Sequence, residues 1–182
     1  MNDRIVILYS GGADSRLMLE FAKLMKKEII LLSIDYNQLH SQELIFVNKI
    51  CKQEKLKHVK VKLDVPVNSA LTGDGKKNMS GLVHEFHVPG RNSMFLSIAF
   101  SIAESNNCDS IWIGCDWSDR LHLFPDCYQE YLVKINELFK VAGPFEIKVE
   151  APLLGLSKEN VLSLLQNAKI DDKEFFSGYG NL

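Results

Sequence analysis

The sequence predicts an α/β fold, a doubly wound and mostly parallel five-stranded sheet with helices on both faces. Three observations predict it. Short apolar runs alternate with longer segments of helical period along the chain. Those runs are nearly continuous in apolar character, as strands covered on both faces are. The first run also ends in Ser10-Gly11-Gly12 just where a helical pattern begins, so a β-to-α junction carries unusual chemistry.

The elements follow in order. Residues 5–9 (Ile-Val-Ile-Leu-Tyr) predict a first strand, and residues 13 to about 25 a helix with Leu17, Phe21 and Leu24 on one face. Residues 29–34 form a second apolar run. Residues from about 40 to 53 place Leu44, Val47 and Cys51 at helical spacing. Residues 59–63 alternate as a third strand. Residues 68–81 hold three glycines among polar residues and predict a long loop. Residues 91 to about 105 predict a helix burying Phe95, Ile98, Ala99 and Ile102. A fourth strand is expected over 110–114 and a helix from 126 to about 140, carrying Tyr128, Tyr131, Leu132, Ile135 and Leu138. A fifth strand over 145–149 and a last helix over 157–167 complete the pattern.

With 182 residues the chain suits one domain spanning 1–182 with a full core. Hydrophobic residues make up 46% and charged residues 24%, a profile of soluble globular proteins. The net charge of −2 argues against a general nucleic-acid coat. Asp3 and Arg4 lead directly into the first strand, so no secretory leader is expected, and no apolar run reaches bilayer-spanning length. Cys51, Cys108, Cys115 and Cys127 lack CxxC spacing, which predicts reduced thiols in a cytoplasmic protein.

The junction Ser10-Gly11-Gly12-Ala13-Asp14-Ser15 is built to hold phosphate. Glycines let backbone N–H groups approach an anion, and a helix N-terminus adds unpaired donors and a favourable dipole. No lysine follows Gly12, which excludes the P-loop, and G-x-G-x-x-G is absent. The S-G-G-x-D-S run resembles the PP-loop of ATP pyrophosphatases, which split ATP between its α- and β-phosphates and transfer AMP. That resemblance implies ATP held through Ser10, Gly11, Gly12, Asp14, Ser15 and Arg16.

More motifs sit at the carboxyl ends of the predicted strands, where ligands of such sheets bind. Asp35-Tyr36-Asn37-Gln38-Leu39-His40 and Glu43 follow strand two. Val88-Pro89-Gly90-Arg91-Asn92 follows the long loop, Asp119 and Phe124-Pro125-Asp126-Cys127 follow strand four, and Lys158 heads the last helix. From about Arg4 to Lys158 these resemble the 7-cyano-7-deazaguanine synthase (QueC) family. Its patterns are D-Y-x-Q-x-H-x-x-E, V-P-G-R-N and an acidic stretch ending in Y-P-D-C. The resemblance implies conversion of 7-carboxy-7-deazaguanine, ammonia and ATP to the nitrile, through an adenylated carboxylate and an amide. It further implies a homodimer. Tyr36, Gln38, His40, Glu43, Pro89, Gly90, Asn92 and Asp126 would then hold substrate, and Lys158, Arg91 and Asp119 would act in catalysis.

The chain departs from that pattern in three places. Leu39 stands where arginine is usual. The acidic stretch has one extra residue and Phe124 replaces tyrosine. The family's final cluster of four zinc-binding cysteines has no counterpart after Cys127, so the zinc site is expected to be absent.

Charge placement offers an independent argument. Arg16, Arg91 and Lys158 occupy first turns of predicted helices, where a cation opposes the helix dipole by roughly 0.3–1 kcal/mol. Three such placements make sense around a polyanion, although solvated surface cations give the same pattern. Asp14 and Asp119 are candidate Mg²⁺ ligands, and either also suits orienting the attacking amine. Capping alone also explains Asp126, which follows Pro125. His40 and Glu43 share a face and suit either the ring substrate or a structural hydrogen bond. Cys115, Cys127 and His122 fit no standard zinc spacing, so buried thiols are expected. Trp117 and Phe124 lie where a planar ring could stack.

Two other classes of function share these motifs. One keeps AMP transfer but changes the acceptor, as in tRNA thiolation or another amide ligation; thiolation needs a reactive Cys115 or Cys127. The other is a nucleotide-binding subunit without turnover.

Overall fold

The computed structural model describes residues 3–38, 43–64, 88–121 and 124–176, with the side chains of residues 43, 44, 120 and 121 excepted. Five strands form one sheet: β1 (Arg4–Leu8), β2 (Glu28–Asp35), β3 (Lys57–Lys62), β4 (Ser110–Trp112) and β5 (Lys148–Glu150). Their order is β3-β2-β1-β4-β5, and every pair is parallel. Six helices flank it: α1 (Ala13–Leu24), α2 (Glu43–Glu54), α3 (Arg91–Ser105), α4 (Trp117–Leu121), α5 (Gln129–Ala142) and α6 (Lys158–Asn167).

The alternation within β1 sets the layers. Val6 joins Ile30, Leu32 and Ile111 in a core cluster with Leu96 and Ala99 of α3 and with Leu132 and Ile135 of α5. Ile5 and Ile7 join Ile29 and Leu31 in a second cluster with Leu17 and Met18 of α1, Val47 of α2 and Val161 of α6. Successive strand residues point to opposite faces, so an all-apolar strand can feed two cores at once. The doubly wound expectation holds, and the sheet is wholly parallel.

The chain winds outward from β1 in both directions, so the strand order reverses between β1 and β4. Loops leaving adjacent strands to opposite faces open a crevice at such a point. Here the loop 9–12 and the loop 113–116 flank it.

Several boundaries differ from expectation. The helix expected from residue 126 starts as a 3₁₀ turn at Pro125–Cys127, and α5 begins only at Gln129. Proline lacks the N–H that would extend a helix backward. β5 is shorter and later than 145–149. Residues 117–121, read as loop, form the single turn α4, capped by Asp116. Leu24 and Leu138 were expected inside but are 79% and 53% exposed. The long loop expected at 68–81 lies outside the described residues.

Candidate active site

A cleft of about 220 Å³ occupies the crevice. Its polar wall includes Ser10, Gly12, Asp14, Ser15, Tyr36, Gln38, Arg91, Asn92 and Asp119, and its apolar floor Leu8, Leu32, Ile34, Phe95 and Ile113. A larger hollow of about 450 Å³ beside α5 and β5 contains none of the motif residues. Chemistry rather than volume therefore marks the site.

The loop after β1 is held by its own hydroxyls. Gly11 adopts φ +96°, a conformation that only glycine takes without strain. Its N–H donates to Ser15 Oγ at 3.1 Å, and Ser15 Oγ donates to the Gly12 carbonyl at 2.9 Å. The Gly12 N–H donates to Ser10 Oγ at 3.2 Å. These hydroxyls partner N–H groups at the head of α1, donors of the kind that helix N-termini offer to anions.

Three charged side chains converge beside the loop. Lys158 Nζ donates to Asp14 Oδ2 at 2.5 Å and stands 3.7 Å from Asp116 Oδ2. Ser157 fixes the start of α6 with a reciprocal box, accepting from the Asn160 N–H while Asn160 Oδ1 accepts from the Ser157 N–H. The lysine's direction is thereby set by its helix. Burial pushes the Asp14 carboxyl above its usual range and Lys158 pulls it back, with a net upward shift. Burial, together with the nearby Asp116 and Asp14, pushes Asp119 up to about 6, although its carboxylate accepts the Asp116 N–H at 3.0 Å. Gly114 runs close against α1: a Cβ there would stand 3.4 Å from the Asp14 Cβ.

The V-P-G-R-N run forms the opposite wall. Gly90 caps α3 at φ +67°, turning Arg91 and Asn92 into the cleft. The Arg91 guanidinium lies beside the Tyr36 hydroxyl and the Asp126 carboxylate. Asn92 Nδ2 donates to the Asp126 carbonyl at 3.4 Å and to Cys127 Sγ at 3.6 Å. Gln38 accepts from the Tyr36 N–H at 3.0 Å, and the Tyr36 ring meets Phe95 edge-on at 5.2 Å.

Most of the sequence candidates are therefore gathered in one place, with exceptions. Arg16 is not in the cleft. It is 1% exposed and pairs with Glu20 and, at 3.0 Å, with Glu174. Residues two apart on a helix point about 200° apart, so Asp14 and Arg16 cannot face one ligand. Arg16 is a packing cation for the outer side of α1. His40 lies outside the described residues, as does the Glu43 side chain. Pro89 is exposed beside Gly90 and does not line the cleft. Trp117 and Phe124 do not line it either; Phe124 packs on the core. The ring-sized apolar surface comes from Phe95, which the sequence marked only as helix core. Asp116, 3% exposed, was also missed; its one signal was an aspartate two residues beyond the end of a buried strand.

The described donors differ in how they suit metals. Among the described residues Asp14 Oδ1 is buried without a hydrogen-bond partner, which suits an oxygen ligand for Mg²⁺ beside phosphate. The four cysteines are buried and free. Cys51 and Cys108 belong to different core clusters, and only Cys115 and Cys127 come together, with Asp119. They do not fit a four-thiolate zinc site. The Cys115 thiol is pushed well up by the neighbouring Cys127 thiol and by burial, the wrong direction for a reactive thiolate.

A glycine- and hydroxyl-lined turn at the switch point of a parallel sheet, with a lysine–aspartate pair beside it, defines a nucleotide-using enzyme of the PP-loop class. The solved structures agree on the fold. A tRNA thiolase (NcsA) from Methanococcus maripaludis superposes with a TM-score of 0.65 at 17% identity, over 100% of this chain and 62% of its own. An NH3-dependent NAD synthetase from Campylobacter jejuni does so with a TM-score of 0.58 at 13% identity, over 96% of this chain and 67% of its own.

Sequence relatives are more specific. The model of "Queuosine biosynthesis protein QueC" matches residues 4–181. A 7-cyano-7-deazaguanine synthase of Prochlorococcus marinus is 36% identical over 100% of this chain and 87% of its own length. One from Picrophilus torridus is 35% identical over 97% and 78%. The chain belongs to the QueC family. No helix among the described residues is long and apolar enough to cross a membrane.

Proposed function

We propose that this protein converts 7-carboxy-7-deazaguanine and ammonia to 7-cyano-7-deazaguanine at the expense of ATP. The observation that carries the reading is the meeting, in one crevice, of the phosphate-ready loop and the Asp14–Lys158 pair with the wall of Tyr36, Arg91, Asn92 and Phe95.

The loop N–H groups at Gly11 and Gly12 take the triphosphate, and Asp14 with Asp119 would hold Mg²⁺. Bound Mg²⁺ would supply charge neutralisation on the phosphates. A carboxylate oxygen of the acid attacks the α-phosphorus, and the bond from that phosphorus to the bridging oxygen breaks. Pyrophosphate leaves with the electron pair, toward Lys158 and Arg91. Ammonia, oriented by Asp119, then attacks the acyl carbon, gives up a proton to solvent, and AMP leaves with its carboxylate-derived oxygen to give the amide. The amide oxygen attacks the α-phosphorus of a second ATP and a second pyrophosphate leaves; AMP then departs with that oxygen as the nitrogen gives up its two protons to solvent, and the nitrile remains. Positioning and fixed charge supply most of the rate, with no covalent enzyme intermediate. The planar ring fits against the apolar floor, where Phe95 offers a ring-sized face, with Tyr36, Gln38 and Asn92 at its edges. His40 and Glu43 belong to the same proposal through their motif. The single domain, the cytoplasmic setting and a homodimer complete it.

The test is pyrophosphate release by the purified protein with ATP, Mg²⁺, ammonia and the deazaguanine acid. Release that depends on the acid supports the synthase. ATP binding without release, across acid concentrations, replaces this reading with a nucleotide-binding subunit.

A further inference from the structure

The segment Asp171–Phe176 grips the loop after β1. Phe176 forms a parallel bridge with Gly12, and its N–H donates to the Gly11 carbonyl at 2.9 Å. Phe175 is 2% exposed and sits in the core cluster of α1 and α6. Glu174 works in two directions: Oε1 accepts the Asp171 N–H, and Oε2 accepts from Arg16 of α1 at 3.0 Å. The Phe176 ring stands 6.4 Å from Phe46 of α2. The segment is thus tied to the loop, to α1 and to α2.

The Gly11–Gly12 peptide makes this consequential. In a trans peptide the carbonyl and the following N–H point in opposite directions. Holding the Gly11 carbonyl toward Phe176 therefore aims the Gly12 N–H the other way, toward Ser10 Oγ and the cleft. Glycine on both sides leaves little steric barrier to rotating that peptide unit. Nothing within the loop fixes the carbonyl, because the Ser15 hydroxyl engages the N–H of Gly11 and the carbonyl of Gly12.

We infer that Phe176 and Glu174 are positioning residues for nucleotide: the Phe176 N–H sets the peptide whose opposite face donates to phosphate, and Glu174 locks the segment to α1 through Arg16. The inference rests on the reading that this loop binds ATP. It gives Arg16 a role at the site without contact, since the arginine joins the segment to the helix that carries Asp14 and Ser15.

Backbone chemistry supplies the test. F176P removes the N–H and F176A keeps it. Phe175 is extended, at φ −146° and ψ 161°, which suits a residue preceding proline. The affinity of a non-hydrolysable ATP analogue with Mg²⁺ is measured by calorimetry, beside melting temperature and the KM for the acid. F176P is expected to weaken the analogue about tenfold relative to F176A, with the KM for the acid unchanged. E174Q is expected to weaken it about threefold. Equal analogue affinity in F176P and F176A overturns the inference while leaving the ATP reading intact. Absence of binding in the unaltered protein overturns both. Should F176P fail to fold, E174Q decides, and an unchanged affinity there overturns the inference.

Discussion

At the residue scale the cleft is defined by carboxylates held in an unfavourable setting. Asp119 titrates near 6, raised by burial first and then by its acidic neighbours. A carboxyl raised on folding binds protons that the unfolded chain has already released. Stability therefore falls as pH rises from about 4 to about 6, and the loss is complete above that range, at a cost on the order of 3 kcal/mol. Asn at this position keeps an acceptor for the Asp116 N–H and removes the charge. D119N is expected to unfold at higher temperature than the parent at pH 8, with the gain vanishing near pH 4; equal gains at both values would remove the buried charge as its source. The same variant is expected to lose activity, since Asp119 lines the cleft in which the proposed reaction takes place. Asp14 differs because a lysine accompanies it. D14A leaves Lys158 its second partner, Asp116, so the fold is expected to persist while pyrophosphate release falls by at least a hundredfold. Circular dichroism beside the release assay separates the two effects.

At the element scale, two helix starts hold the site open. Ser157 caps α6 and so fixes the position from which Lys158 reaches Asp14. S157A is expected to cost about 1 kcal/mol of stability. It is also expected to reduce kcat more than the KM for the acid, because the proposed mechanism has Lys158 serve the departing pyrophosphate; the reverse split would detach the lysine from that step. Much of this scale was legible in the sequence. The strand–glycine–helix junction, the V-P-G-R-N turn and the Ser157 cap all announce themselves through local residue chemistry. Arg16 was misplaced because its position in the first turn was weighed and its angle around the helix was not. Asp116 and Phe95 were missed because their roles depend on which loops meet at the crevice. Strand order decides that, and no local pattern reveals it. The segment Asp171–Phe176 was unreadable for the same reason: its partner loop lies more than a hundred and fifty residues earlier.

At the scale of the whole molecule the cleft joins parts that the core otherwise keeps separate. One wall is built on α1, whose Asp14 pairs with Lys158 of α6, and both helices pack on one face of the sheet; the other is built on α3, which packs on the opposite face. A ligand spanning both walls links the two layers across the β1–β4 boundary. Anything that binds only the folded state stabilises it by mass action, by about 2.7 kcal/mol at a hundred times its dissociation constant. For a chain of this size that corresponds to a rise in melting temperature of roughly 5–10 °C. The Mg²⁺ complex of a non-hydrolysable ATP analogue is expected to produce such a rise in the unaltered protein. With excess chelator the rise is expected to shrink, because on the proposed reading the cleft carboxylates Asp14 and Asp119 would then meet the triphosphate with no cation between like charges. D14A reverses the dependence: with one carboxylate gone, the analogue alone is expected to retain more of its effect than it does in the parent protein. A melting temperature indifferent to the analogue, with and without Mg²⁺, would remove the triphosphate from this crevice.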